Sequence, residues 1–124
     1  PIMMRKTRIE LGDLPDRRLN PNRYRNRYEH SRAKREAKDL AYALVNNEGI
    51  PKTPYNKAHI TITWIAGDKI PRDPDNLLAS MKAYIDGLVA VGLIVDDSAK
   101  HVSYTPTYER GEKHNTIIEI EEIG

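Results

Sequence analysis

Asp73 and Asp75 stand two residues apart in the run Asp73-Pro74-Asp75-Asn76-Leu77, and a second acidic pair, Asp96-Asp97, follows about twenty residues later. On an extended segment, side chains two apart point the same way, so the first two carboxylates share a side. A pattern of helical period begins right after them and ends at Gly92. If that helix doubles back, the two acidic groups meet. Carboxylates crowded into one pocket repel each other unless a cation sits among them. Hard oxygen donors of this kind, with no cysteine and no paired histidines, suit Mg²⁺ or Mn²⁺. A magnesium pocket on a small basic protein points to phosphate chemistry.

A phosphodiester resists attack because its own negative charge repels a nucleophile. A divalent cation between carboxylates binds the phosphate, orients a water and lowers its pKa. A nearby ammonium neutralises charge that develops on the phosphoryl oxygens. Lys82 is the lysine inside the helical stretch. Asp75, Ala79, Lys82 and Asp86 step by four, three and four and so share one helix face.

The net charge of +2 hides an asymmetry. Residues 1–40 hold twelve Lys and Arg against six Asp and Glu, and the rest of the chain holds eight against twelve. A basic front half and an acidic back half suit a protein that grips a polyanion with one part and a metal with the other. In the front half, Arg23, Arg25 and Arg27 alternate with Tyr and Asn, and Arg32, Lys34, Arg35 and Lys38 follow on one face of the next helix. Arg binds phosphate and Tyr stacks on bases. Arg23, Arg25, Arg27, Arg32, Lys34 and Arg35, with Arg72 beside the first carboxylate, are the candidate DNA contacts.

The elements that must position these groups are legible from periodicity. Thr7–Leu11 alternates as a short strand. Gly12–Asn26, with its Gly, Pro and Asn, reads as a long loop. Apolar residues at helical spacing run from Glu29 to Asn47, and Gly49, Pro51 and Pro54 stop that helix. His59–Ile65 is the clearest strand, with Ile60, Ile62 and Trp64 on one face. A single helix is expected from Asp75 or Asn76, as its cap, to about Val91. Strands over Lys100–Tyr108 and Thr116–Glu122 complete an α+β domain: a small mixed sheet with two helices packed on one face.

At 124 residues the chain reads as one domain, residues 1–124. The absence of Cys excludes a disulfide framework, a thiolate zinc site and a cysteine nucleophile. No apolar run reaches the length of a membrane span and no signal peptide precedes the first strand, so the expected setting is the cytoplasm, with no membrane partner. A phosphate loop, a dinucleotide fingerprint and an HExxH zinc motif are all missing. An EF-hand does not fit, because the fifth, sixth and twelfth positions counted from Asp73 are Leu77, Leu78 and Tyr84. His30, His59, His101 and His114 are scattered without ligand spacing.

Asp73-x-Asp75-Asn76-Leu77, then Lys82-x-x-x-Asp86-x-Leu88, Gly92 and Asp96-Asp97-Ser98 together resemble the RusA family of Holliday junction resolvases, DNA endonucleases of phages and prophages. The resemblance covers residues 72–98 by motif and most of the chain by element order. It implies a homodimer that binds four-way DNA junctions in a bacterial host cell and makes paired nicks with Mg²⁺, without a small-molecule cofactor. It implies that Asp73, Asp75 and Asp97 are the essential carboxylates and metal ligands, with Lys82 the essential lysine. Asp96 would be an alternate ligand, and Asp86 and Asn76 would support the ligands from behind. The family commonly places the lysine four residues after its second Asp, where this chain has Ala79. Lys82 then takes the role through a three-residue insertion. Two other functions stay open: a DNA-binding module whose acidic cluster only shapes the fold, and a Mg²⁺ nuclease for other branched DNA. For a dimer, the strand surfaces near Ile9 or Ile117 are the expected contact.

Overall fold

The computed structural model describes residues 5–21 and 26–123. Its elements are β1 (Lys6–Glu10), α1 (Arg27–Asn47), β2 (Ala58–Ala66), α2 (Pro74–Ser80), α3 (Lys82–Ala90), β3 (Val102–Arg110) and β4 (Asn115–Glu122). A short 3₁₀ turn at Arg17–Leu19 punctuates the long loop after β1. The sheet runs in the order β1-β4-β2-β3. β2 and β3 are parallel, while β4 runs antiparallel to both β1 and β2. A parallel pair needs a crossover between its strands. Here α2 and α3 supply it, and this crossover carries the acidic motif from one end to the other. The α+β class and the mixed sheet expected from the sequence are what the chain forms.

Strand β2 shows why. Its residues alternate strictly between buried and half-exposed. Ala58, Ile60, Ile62, Trp64 and Ala66 turn inward, joined from β4 by Ile118 and Ile120 and from β1 by Ile9. Apart from Ile65 the outward set is polar: the His59 ring lies 2.7 Å from the hydroxyls of both Ser103 and Thr105 on β3. With this alternation, one face packs and the other meets water. Ile9 is fully buried and Ile117 nearly so. Neither is an exposed strand surface on which a second copy could dock. β3 is an edge strand, which is where a sheet tolerates Pro106.

On the inward face lies α1, with Ala33, Ala37, Ala41 and Val45 as its buried stripe. Asn26 caps its start, accepting hydrogen bonds from the N–H groups of Tyr28 and Glu29 at 2.9 and 3.3 Å. Its far end closes on Gly49 in the left-handed conformation, φ +66°, with Ile50 N–H reaching back to the Val45 carbonyl.

The second helical stretch differs from the single helix expected. It is two helices, broken at Met81. The Ser80 hydroxyl donates to the Asn76 carbonyl at 2.8 Å, and Met81 N–H takes the Leu78 carbonyl in a tightened turn. Ser bonding back to the preceding turn disturbs helix geometry, and an i→i−3 bond belongs to the narrower 3₁₀ form. α3 then starts at Lys82. The α2 cap is Asp73, not Asp75 or Asn76. Pro74 occupies the first helical position, where its missing N–H costs nothing.

Helices α1 and α3 meet closely because Gly87 has no side chain. A Cβ added there would lie 2.4 Å from the Lys38 carbonyl oxygen and 2.9 Å from the Ala41 Cβ. In a free helix, Gly to Ala would add up to about 1 kcal/mol of stability. Here the obstruction is a backbone atom that cannot step aside. Gly87→Ala is therefore expected to destabilise the protein by about 1–3 kcal/mol, read as a lower urea midpoint. A midpoint equal to or above that of the parent would show that the helices separate at no cost.

Candidate functional site

The loop that delivers the first carboxylates is held by a charged lock. Asp68 receives Arg72 at both oxygens, Nη1 at 2.8 Å and Nη2 at 3.0 Å, and also accepts the Ile70 N–H at 3.0 Å. The Arg72 guanidinium reaches the Tyr108 hydroxyl on β3 at 3.3 Å. On the other side, His114 Nδ1 accepts the Gly67 N–H at 2.9 Å, and its Nε2 lies 3.4 Å from Asp68. The guanidinium, opposed by partial burial, pulls the Asp68 carboxyl down to about 2. Arg72, a candidate DNA contact by sequence, is thus engaged with Asp68.

Beyond the lock, Asp73 turns back on its own helix. Its Oδ1 accepts the Asp75 N–H at 2.9 Å. Asp73 and Asn76 open onto a groove of about 960 Å³ that also carries Asp68, Arg72 and Tyr84. Asp75 is exposed in the first turn of α2.

The second acidic group is placed by a different set of contacts. Gly92, at φ +88°, ends α3, with Leu93 N–H on the Leu88 carbonyl and Gly92 N–H on that of Val89. This αL cap turns the chain sharply. Buried Tyr55 then fixes the exit: its N–H donates to the Leu93 carbonyl at 2.7 Å, and its carbonyl accepts Val95 N–H at 3.1 Å. The Tyr55 hydroxyl is itself tied to Thr7 of β1 at 2.8 Å. Asp96 caps locally, its Oδ1 accepting the Asp97 N–H at 2.9 Å.

Asp97 meets Lys82. The Lys82 ammonium is shared between Asp86, at 2.7 Å, and Asp97, with which it makes a very short contact. The two carboxylates hold the ammonium well above the ordinary lysine range, and the Lys82 hydrogen bond holds Asp97 below the ordinary carboxylate range. Lys82 and Asp86 are substantially exposed, and ion pairs at such exposure add little to stability. Among the described residues, no three His, Asp or Glu side chains form a group that could hold a metal ion. The structure joins Asp97 to Asp86 through Lys82, while Asp73 opens onto the other groove.

Lys82 and Asp86 also stand on one wall of a groove of about 900 Å³ between the helices. The α3 side contributes Lys82, Ala83 and Asp86, and the α1 side Arg27, Lys34, Arg35 and Lys38. These four α1 cations are without an ion-pair partner among the described residues. Arg32 is different, since its Nε donates to Glu36 at 3.0 Å and it does not line the groove. Arg23 and Arg25 lie outside the described residues. Lys38 was visible in the sequence only as part of a charged helix face. Nothing in the spacing pointed to Asp68 or Tyr108 beside the acidic motif, because strand and loop bring them there from outside it.

Compared with protein-family models and with curated proteins, the chain matches none.

The Asp68 lock has a pH signature. Its folded pKa lies below the ordinary 3.8, so its contribution is complete above the unfolded value and is lost as pH falls towards about 2. Replacing Asp68 by Asn should therefore lower stability at neutral pH and flatten the decline between about pH 4 and pH 2. Urea midpoints across that range check this, and parallel pH profiles for the two proteins would show that the lock contributes nothing.

Proposed function

We propose that this chain is a Mg²⁺-dependent endonuclease of the RusA kind that cuts branched DNA, four-way junctions in particular, as a homodimer. The observation that carries the reading is the basic groove. Cations unpaired among the described residues line one wall, and at its α3 side stand Asp86 and Lys82, whose ammonium Asp97 also meets. A polyanion is attracted along α1 and meets the acidic group there. A pure binding surface gains nothing from carboxylates beside phosphate, whereas hydrolysis uses them.

The donors fit a hard cation. Asp86 and Asp97 offer only oxygen, are open to solvent and already hold one positive charge between them. Mg²⁺ keeps several waters and is commonly held by one or two carboxylates plus substrate phosphate. When bound, it would supply a Lewis acid and an acidified water. Asp97 would hold it with Asp86, while Asp73 and Asp75 stand at the start of α2, Asp73 on the other groove. Lys82, released from part of its pairing, would neutralise charge on the phosphoryl oxygens. Arg27, Lys34, Arg35 and Lys38 would bind the DNA backbone and set its direction. Two cuts on opposed strands need two such sites, which a C₂ homodimer provides.

The test is a labelled four-way junction and a matched duplex, each with and without Mg²⁺. The expected result is paired nicking of the junction only, with Mg²⁺. Asp97→Asn should slow cleavage by about 10²-fold or more while leaving junction binding in place. An Asp97→Asn protein cutting at the parental rate would overturn the assignment. Binding without any cutting by the parent would favour a DNA-binding module, and single nicks a nuclease for flaps.

The groove makes a separate prediction. The double variant Lys34→Ala, Arg35→Ala should lower the slope of log affinity against log salt by about 0.9 for each phosphate that the protein no longer neutralises. Fluorescence anisotropy with a labelled junction at several salt concentrations measures it, and an unaltered slope would move the DNA path off α1.

A further inference from the structure

Helices α1 and α3 touch where Gly87 meets the Lys38 carbonyl and the Ala41 side chain. The groove of about 900 Å³ lies on the N-terminal side of that contact along both walls, from Arg27 to Lys38 on α1 and from Ala79 to Asp86 across α2 and α3. Between the charged walls its lining is apolar: Leu19 and Pro21 come from the loop after β1, and Ala79 and Ala83 from the helices. Leu19 and Ala83 are buried and form the floor, while Ala79 is exposed. Two polar neighbours in the lining are engaged elsewhere. The Ser80 hydroxyl donates to the Asn76 carbonyl at 2.8 Å, and His30 Nδ1 lies 2.9 Å from the Arg18 carbonyl oxygen.

A phosphate backbone alone does not match this lining. Phosphates suit the α1 wall, but an apolar floor strips water from them and returns no hydrogen bond. A duplex presents two backbones. To the second, the α3 wall offers only Lys82, which Asp86 and Asp97 already hold. An unpaired nucleotide has both of the parts required: a phosphate for the α1 cations, and a flat base whose face covers apolar atoms. Grooves for single strands combine a cationic wall with surfaces on which base faces rest. In a paired arm the bases stay stacked inside the duplex and cannot reach the floor, whereas a base at a branch point costs less to unstack.

We propose that this groove takes an unpaired nucleotide of the branched DNA, with its phosphate on the α1 cations and its base over Leu19, Ala79 and Ala83. The proposal rests on the reading of the groove as the path of DNA, and adds what selects the substrate: a strand released from pairing, not a duplex arm. The site only binds, and no bond forms or breaks in it. Because Lys82 and Asp86 stand on the same groove, a nucleotide held there lies beside the ammonium that Asp97 meets.

The test is binding by the full chain in EDTA, so that the readout does not depend on hydrolysis. Fluorescence anisotropy compares a labelled single strand, the same strand with abasic sites in place of its bases, and a duplex of equal length, all at one salt concentration. The intact strand is expected to bind at least about fivefold tighter than the abasic one, the low end of what a stacked base contributes, and tighter than the duplex. Ala79→Gln, at an exposed helix position, puts a longer polar chain over the floor and is expected to bring the intact strand down to the abasic affinity. Equal affinity for intact and abasic strands, or an Ala79→Gln protein that keeps the full difference, overturns the nucleotide site. Polyglutamate displacing the strand as well as unlabelled strand of equal charge would make the occupant an acidic peptide and overturn it too. The Lys34→Ala, Arg35→Ala protein separates this inference from the reading beneath it. If that protein binds abasic strand and duplex more weakly while bases make no difference to the parent, the groove remains the DNA path and only the nucleotide site falls. If it binds every DNA as the parent does, the path itself is refuted and the inference falls with it.

Discussion

The contact between α1 and α3 is the constraint on which the rest of the molecule depends. Small residues make it: Ala33, Ala37 and Ala41 on α1 are buried, and Gly87 on α3 lies against the Lys38 carbonyl. With no side chain between the backbones, the two helices share one layer over the sheet. That proximity sets the width of the groove above them. The same turns of α1 that bury alanine turn Lys34, Arg35 and Lys38 outward, and the same turns of α3 that bury Leu88 and Ile85 turn Lys82 and Asp86 outward. The core contact and the charged groove are two sides of one piece of packing.

A second constraint acts on the chain leaving α3. The end of the helix, Tyr55 and β1 are linked in sequence through Gly92, the Leu93 and Val95 bonds to Tyr55, and the Tyr55 hydroxyl on Thr7. Asp97 is therefore referred to the sheet by backbone bonds and a buried ring. The side chain that meets it, Lys82, starts a helix that begins anew after the Met81 break. Asp75 and Lys82 lie on either side of this break. The tightened turn at Ser80 and Met81 lets α3 take its own register, and Lys82 reaches both Asp86 and Asp97.

Charge is distributed by the same logic. Arg18 and Arg32 are neutralised by Asp16 and Glu36, and Arg72 by Asp68. These pairs stiffen loops and the outer turn of α1. Four of the cations without such partners among the described residues, Arg27, Lys34, Arg35 and Lys38, line the groove. A polyanion is drawn to the cations whose charge is not already balanced. Arg72 looks like a DNA contact in the sequence because its type and place suit one, and in the fold its guanidinium makes a bidentate contact with Asp68.

The sequence by itself determined the elements and the chemistry of their exposed groups. Period-two alternation specified β2 and β4, period 3.6 specified α1, and Gly49 and Gly92 marked helix ends, because these signals are local and each residue carries its own part. It also put Lys82 four residues from Asp86, a pairing fixed by helix geometry. The tertiary structure alone decided what is paired across the chain: Asp97 with Lys82, Asp68 with Arg72 and His114, Tyr55 with the segment leaving α3. It also decided the break at Met81 and the inward turn of Ile9. Such contacts depend on the path of the backbone between distant residues, and one-dimensional spacing does not contain that path.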